Sequence, residues 1–127
     1  MASVIHIDTH VVAWLWTADS LRLRPLRRAI ETHDLEYSPM VELELEYLHE
    51  LGRLKPVAST VLGGLSETIG LRRCTVDFGD VVARARALKW TRDPFDRLIV
   101  ASALVAEAPL LTRDEAILVH FKGARAK

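Results

Sequence analysis

Four acidic side chains stand where chemistry could use them. Asp8 follows the apolar run Ser3-Val4-Ile5-His6-Ile7, Glu44 sits between Ser38 and Gly52, Asp96 lies in Asp93-Pro94-Phe95-Asp96-Arg97, and Asp114 follows Leu110-Leu111-Thr112. Carboxylates gathered at one place cannot all ionise unless cations neutralise them. Oxygen-only ligand sets select hard ions, Mg²⁺ or Mn²⁺. Zinc is disfavoured, because the sequence shows neither a Cys/His cluster nor an HExxH spacing. The chemistry such a site supports is phosphodiester hydrolysis. One ion lowers the pKa of a bound water, a second steadies the leaving oxygen, and their charge lets a polyanion approach. Nothing suggests a Ser-His-Asp triad, a Walker loop or a dinucleotide fingerprint.

Whether these acids meet depends on the elements that carry them. Asp93 is a good N-cap, Pro94 fits the first helical position, and Asp96 falls at N3, where its carboxylate can reach back to the cap. From Leu98 to Ala106 only Ser102 is polar, so this helix should be central and buried, with Asp96 pointing inward beside Ile99 and Val100. Glu44 belongs to a second helix, capped by Ser38, started by Pro39 and stopped near Gly52. There Val41, Leu45, Leu48 and Leu51 form an apolar stripe; Glu44 lies inside it, and Glu42, Glu46 and Glu50 form the opposite, wet face.

Plainer readings stand beside the chemical ones. Asp93 reads first as a cap that supports the turn holding Asp96, and Asp8 would also serve as the cap of a short helix from His10 to Trp16. His6 and His10 read as packing or surface residues, not metal ligands. Trp14, Leu15 and Trp16 are too dense an apolar stretch for a short helix to bury on one side, and part of it should line a groove for a partner segment or a second subunit.

The remaining chain predicts a helix from Pro25 to His33, a strand Leu35–Tyr37 and a helix from Pro56 to Thr68, weakened by Gly63-Gly64 and ended by Gly70. A short strand within Leu71–Val76 should follow, then a helix capped by Asp77 or Asp80 and running to about Trp90. The strand Leu110–Thr112, a helix Glu115–His120 and a basic tail of Lys122, Arg125 and Lys127 complete it. Alternating strands and helices predict an α/β domain, a parallel sheet of four to five short strands flanked by helices. In that architecture Asp8 and Asp114 share the carboxyl rim of the sheet, where ligands usually bind.

At 127 residues the chain is expected to be one domain, 1–127, with 50% hydrophobic and 27% charged residues. Seventeen basic and seventeen acidic residues give zero net charge, which argues against nucleic-acid binding by bulk positive charge. The single cysteine, Cys74, excludes an internal disulfide and suits a reducing compartment. No apolar run reaches the ~18 residues of a membrane span and no signal peptide is evident, so a cytoplasmic location is expected.

Taken in order, four segments resemble a PIN domain, in particular the VapC-type toxins. They are Ile7-Asp8-Thr9-His10-Val11-Val12, Ser38 through Glu44 to Gly52-Arg53-Leu54, Asp93-Pro94-Phe95-Asp96-Arg97-Leu98-Ile99-Val100-Ala101, and Leu111-Thr112-Arg113-Asp114-Glu115-Ala116. The resemblance implies a PIN-like sandwich, divalent-metal-dependent cleavage of RNA, a homodimer, and inhibition by a small cognate antitoxin. By position Asp8, Glu44, Asp96 and Asp114 match the family's four metal-holding acids, and Thr112 a hydroxyl that supports them. Leu43 departs from the aromatic residue the family often carries before its second acid. Two alternatives remain. One is a haloacid-dehalogenase-like phosphatase with Asp8 as nucleophile, whose second Asp is replaced here by His10. The other is a PIN-like binding module without activity, against which four intact acids count.

Overall fold

The computed structural model describes residues 2–127. The chain opens with β1 (Val4–Ile7), α1 (Thr9–Thr17), α2 (Ser20–Leu23), a 3₁₀ turn (Arg24–Leu26), α3 (Arg27–Thr32) and β2 (Asp34–Tyr37). It continues through α4 (Pro39–Glu50), α5 (Ala58–Ile69), β3 (Arg72–Arg73) and α6 (Phe78–Ala85). It closes with α7 (Pro94–Ala106), β4 (Leu110–Leu111), α8 (Glu115–His120) and β5 (Ala124–Arg125). The five strands form one parallel sheet in the order β3-β2-β1-β4-β5. Parallel neighbours require crossovers, which the helices supply. β1 lies at the centre, and its Ile5 and Ile7 are fully buried beside Leu35, Leu110 and Leu111.

The expected α7 is present in detail. Asp93 Oδ1 accepts from the amides of Phe95 (2.8 Å) and Asp96 (3.4 Å), Pro94 occupies the first turn, and Ile99 to Ala103 are all buried. The capping box is not closed, however. The Asp93 amide donates to Thr91 Oγ1 at 3.1 Å, which frees the Asp96 carboxylate from the cap. α4 starts at Pro39 behind the Ser38 cap, with Val41 and Leu45 buried. Leu51, expected in its stripe, lies at the frayed end and is 49% exposed. Glu46 is not part of an idle wet face: its Oε1 accepts from the Ala58 amide at 3.0 Å and so satisfies a donor at the start of α5.

Several boundaries differ from expectation for local reasons. The single helix over Pro25–His33 is two pieces, a 3₁₀ turn and α3, preceded by the separate α2, because Pro25 has no amide to continue the ladder from α2. Gly63-Gly64 do not interrupt α5, since glycine weakens a helix without forbidding it. α6, capped by Asp77, ends at Ala85 and not near Trp90. The Arg97 guanidinium reaches its end, donating to the carbonyls of Ala85 (3.2 Å), which also accepts from the Leu88 amide, and of Arg86 (3.4 Å). The basic tail carries the fifth strand, with Leu110 N–H on the Gly123 carbonyl (3.0 Å) and Thr112 N–H on that of Arg125 (2.9 Å).

Candidate active site

The rim is built from the two central strands. The Asp8 amide donates to the Leu111 carbonyl at 3.1 Å, so β1 and β4 end side by side and Asp8 emerges next to Thr112. Asp8 is 5% exposed. Its Oδ1 accepts from the Thr9 amide (2.8 Å) and its Oδ2 from the Thr112 hydroxyl (2.7 Å). The same Thr112 oxygen accepts from the Asp114 amide at 3.0 Å, while Asp114 Oδ1 caps α8 through the Ile117 amide at 3.0 Å. One buried hydroxyl thus fixes the relation of Asp8 to Asp114.

Glu44 is joined to the same rim from α4. Its Oε1 accepts from the fully buried Thr9 hydroxyl at 2.5 Å. Thr9 therefore serves two acids at once, its amide holding Asp8 and its hydroxyl holding Glu44. Sequence reasoning gave Thr9 no role; its place directly after Asp8 was the available signal. Asp96 stands half-buried on the first turn of α7.

The electrostatics tie these acids together. Burial raises the Asp8 carboxyl above its ordinary value, against the opposing bonds from Thr112 and Thr9, and nearby Asp114 raises it further. Burial raises Glu44 too, opposed by the Thr9 bond and reinforced by Asp8 and Asp93. Asp96 is pushed up to about 7, first by burial and then by Asp93, Asp114, Asp8 and Glu44. The exposed His10, when charged, lowers both Asp8 and Glu44, so this residue also faces the rim. Among the described residues no Lys or Arg pairs with Asp8, Glu44, Asp96 or Asp114; the arginines that make ion pairs do so with Asp19, Glu31, Glu36 and Glu42. Such a surplus of desolvated negative charge is what a hard cation would cancel.

The donor set fits a Mg²⁺-like ion in chemistry, and its spacing limits how. Among the described residues, the one group of three ligating side chains whose donor atoms all lie within 4.8 Å is His6, Glu36 and Cys74, away from these acids. The carboxylates of Asp8, Glu44 and Asp114 are each tied to an anchor, that of Asp96 to none, and the four repel one another. That spacing suits an ion held directly by one or two carboxylates and otherwise by water, as Mg²⁺ usually is.

The apolar stretch of α1 divides. Leu15 lines a groove of about 380 Å³ with Leu23, Arg24, Arg27, Ile30 and Glu31. Trp16, 36% exposed, packs instead on α5, where a Cβ at Gly64 would lie only 2.7 Å from its ring. Among the described residues no helix is long and apolar enough to cross a membrane.

A family model described as PIN domain matches residues 5–122. The fold is similar to that in the crystal structure of VapBC2 from Rickettsia felis bound to a DNA fragment from their promoter. The TM-score is 0.67 and the identity 13%, over 95% of this chain and 95% of that one. No curated protein matches the chain.

Proposed function

Since the chain belongs to the PIN-domain family, whose members are generally nucleases, we propose that it is a divalent-metal-dependent endoribonuclease, the toxin of a toxin–antitoxin pair. The observation that carries this reading is the rim's geometry: Thr9 bonds both Asp8 and Glu44, Thr112 joins Asp8 to Asp114, and none of the four acids pairs with a Lys or Arg among the described residues. Asp8, Glu44, Asp96 and Asp114 would hold Mg²⁺ or Mn²⁺, directly or through water. When bound, the ion supplies a water nucleophile at neutral pH and charge stabilisation of the phosphoryl oxygens. The protein's own part is orientation. Thr112 fixes Asp8 and the Asp114 backbone, Thr9 fixes Glu44, and Asp93 holds the turn that presents Asp96. His10, exposed beside Asp8 and Glu44, is placed to meet an incoming phosphate. The phosphatase alternative loses its footing with the family assignment, and four intact acids still count against an inactive module.

RNA as substrate rests on the resemblance to VapC-type toxins, and an antitoxin partner also on the fold likeness to VapBC2. The groove beside Leu15 would take an antitoxin segment. The exposed Leu43 and Phe78 flank an apolar hollow of about 240 Å³ that would suit a second copy of the chain. All of residues 1–127 would act as one cytoplasmic unit. The test is cleavage of labelled single-stranded RNA by purified protein with Mg²⁺ or Mn²⁺, and with excess chelator. Cleavage should need the metal and leave no 2′,3′-cyclic phosphate, because water attacks and not the ribose hydroxyl. Chelator-resistant cleavage, or cyclic phosphate ends, would overturn the proposal.

A further inference from the structure

A second set of ligating side chains lies on β1, β2 and β3. His6 pairs with Glu36 across β1 and β2, and Glu36 with Arg72 across β2 and β3. Cys74 stands two residues beyond Arg72, and its amide still donates to the Tyr37 carbonyl at 2.8 Å, so the strand register continues to it. Period-two alternation puts His6, Glu36, Arg72 and Cys74 on one face of the sheet.

His6 is 1% exposed, and neither of its ring nitrogens has a hydrogen-bond partner among the described residues. A buried imidazole normally finds one. Its Nε2 points to Glu36 Oε1 at 3.7 Å, too far for a hydrogen bond, while Glu36 Oε2 is taken by Arg72 at 3.1 Å. Cys74 is 4% exposed, and one donor atom from each of the three residues lies within 4.8 Å of the others. Around a tetrahedral Zn²⁺, ligand atoms stand about 3.3–3.7 Å apart, given bonds of ~2.0–2.3 Å. The His6–Glu36 separation already has this value, and the sulfur needs only a side-chain adjustment.

We propose that His6, Glu36 and Cys74 form a Zn²⁺ site with a water as fourth ligand, a clamp across three parallel strands, distinct from the acidic rim. The thiolate and imidazole select zinc over Mg²⁺. Glu36, with 20% of its side chain exposed, leaves the fourth position open to solvent. On binding, Cys74 releases its thiol proton to solvent. The clamp would secure β3, an edge strand with only two residues in the ladder. The site stands whether or not the rim is a nuclease centre.

The test uses the full chain and its Asp8→Asn/Asp96→Asn form, which disables the rim. Isothermal titration with Zn²⁺ alone should give one equivalent bound in the rim-disabled form, and at least that in the unmutated chain, whose acidic rim can take up more. Co²⁺ in its place should give tetrahedral visible bands and a near-ultraviolet thiolate charge-transfer band. Zn²⁺ at a hundredfold over Kd should raise Tm by roughly 10 °C. Cys74→Ser and His6→Gln, checked for folding by circular dichroism, should lose that shift and at least ~10-fold in affinity. A Co²⁺ spectrum of the unmutated chain without the thiolate band would overturn the proposal even if both variants fail to fold. Zn²⁺ uptake that vanishes in the rim-disabled form would overturn it equally.

Discussion

Asp96 carries the strongest residue-scale consequence. Its carboxyl is raised to about 7, so the folded state holds the proton more tightly than the unfolded chain, where it titrates near 3.8. Below that lower value Asp96 costs nothing; as pH rises from about 4 to 7 its contribution to stability is lost, and above 7 the loss is complete. His6 has the opposite sign, because burial lowers it from 6.5 to about 4 and stability is lost as pH falls. The difference between wild type and Asp96→Asn therefore isolates the effect. In chelator, the variant's denaturation midpoint should gain on wild type steadily between pH 4.5 and 7. A difference that does not change with pH would refute the cluster's charge coupling. Glu44 and Glu42 make a second contrast on one helix. Glu44→Gln should abolish most cleavage and keep or raise Tm, while Glu42→Gln, whose carboxylate sits 3.7 Å from Arg73 at the surface, should stay within about 0.5 kcal/mol and remain active. The reverse pattern in a cleavage assay would place the second acid at Glu42. Thr112→Val strands both Asp8 Oδ2 and the Asp114 amide, so we expect ~1–3 kcal/mol of lost stability and ~10–100-fold weaker metal affinity, both largely restored by Thr112→Ser. Unchanged Mn²⁺ affinity in the folded valine variant would remove Thr112 from the site.

At the scale of the element, α5 separates two kinds of glycine. Gly63 is exposed, with nothing within 4 Å of a built Cβ, whereas a Cβ at Gly64 meets the Trp16 ring at 2.7 Å. Gly63→Ala should raise stability by about 0.5–1 kcal/mol through the restored helix preference. Gly64→Ala should lower Tm and shift tryptophan emission to the red as the ring is displaced; equal behaviour of the two variants would contradict this packing. Elements with strong local chemistry were legible from sequence: Ser38-Pro39 and Asp93-Pro94 start their helices as their types dictate, and Gly70 ends α5 in the left-handed region at φ 71°. Short elements were not. β5 has two residues, too few to show any alternation, and it exists because the Leu110 amide meets the Gly123 carbonyl and the Thr112 amide that of Arg125. The early end of α6 was hidden as well, since its capping donor is Arg97, which lies on α7.

For the whole molecule, the site is a product of topology. Placing β1 between β2 and β4 sets Asp8 beside Thr112, 104 positions later, and the Thr9–Glu44 bond spans 35 positions. Helix phase and strand ends single out the four acids as candidates from the chain alone, but the hydroxyls bonded to Asp8 and Glu44 answer to partners fixed only in the fold. The same applies to His6, Glu36 and Cys74: read singly they look like packing residues, and only the register of three parallel strands joins them. The central claim is that the acidic rim is the centre of metal-dependent RNA hydrolysis. The most direct measurement is the single-turnover rate of RNA cleavage in Mn²⁺ by Asp96→Asn against wild type, with both proteins shown folded. The account predicts a fall of ~100-fold or more together with equal or higher Tm. A rate within twofold of wild type would contradict it.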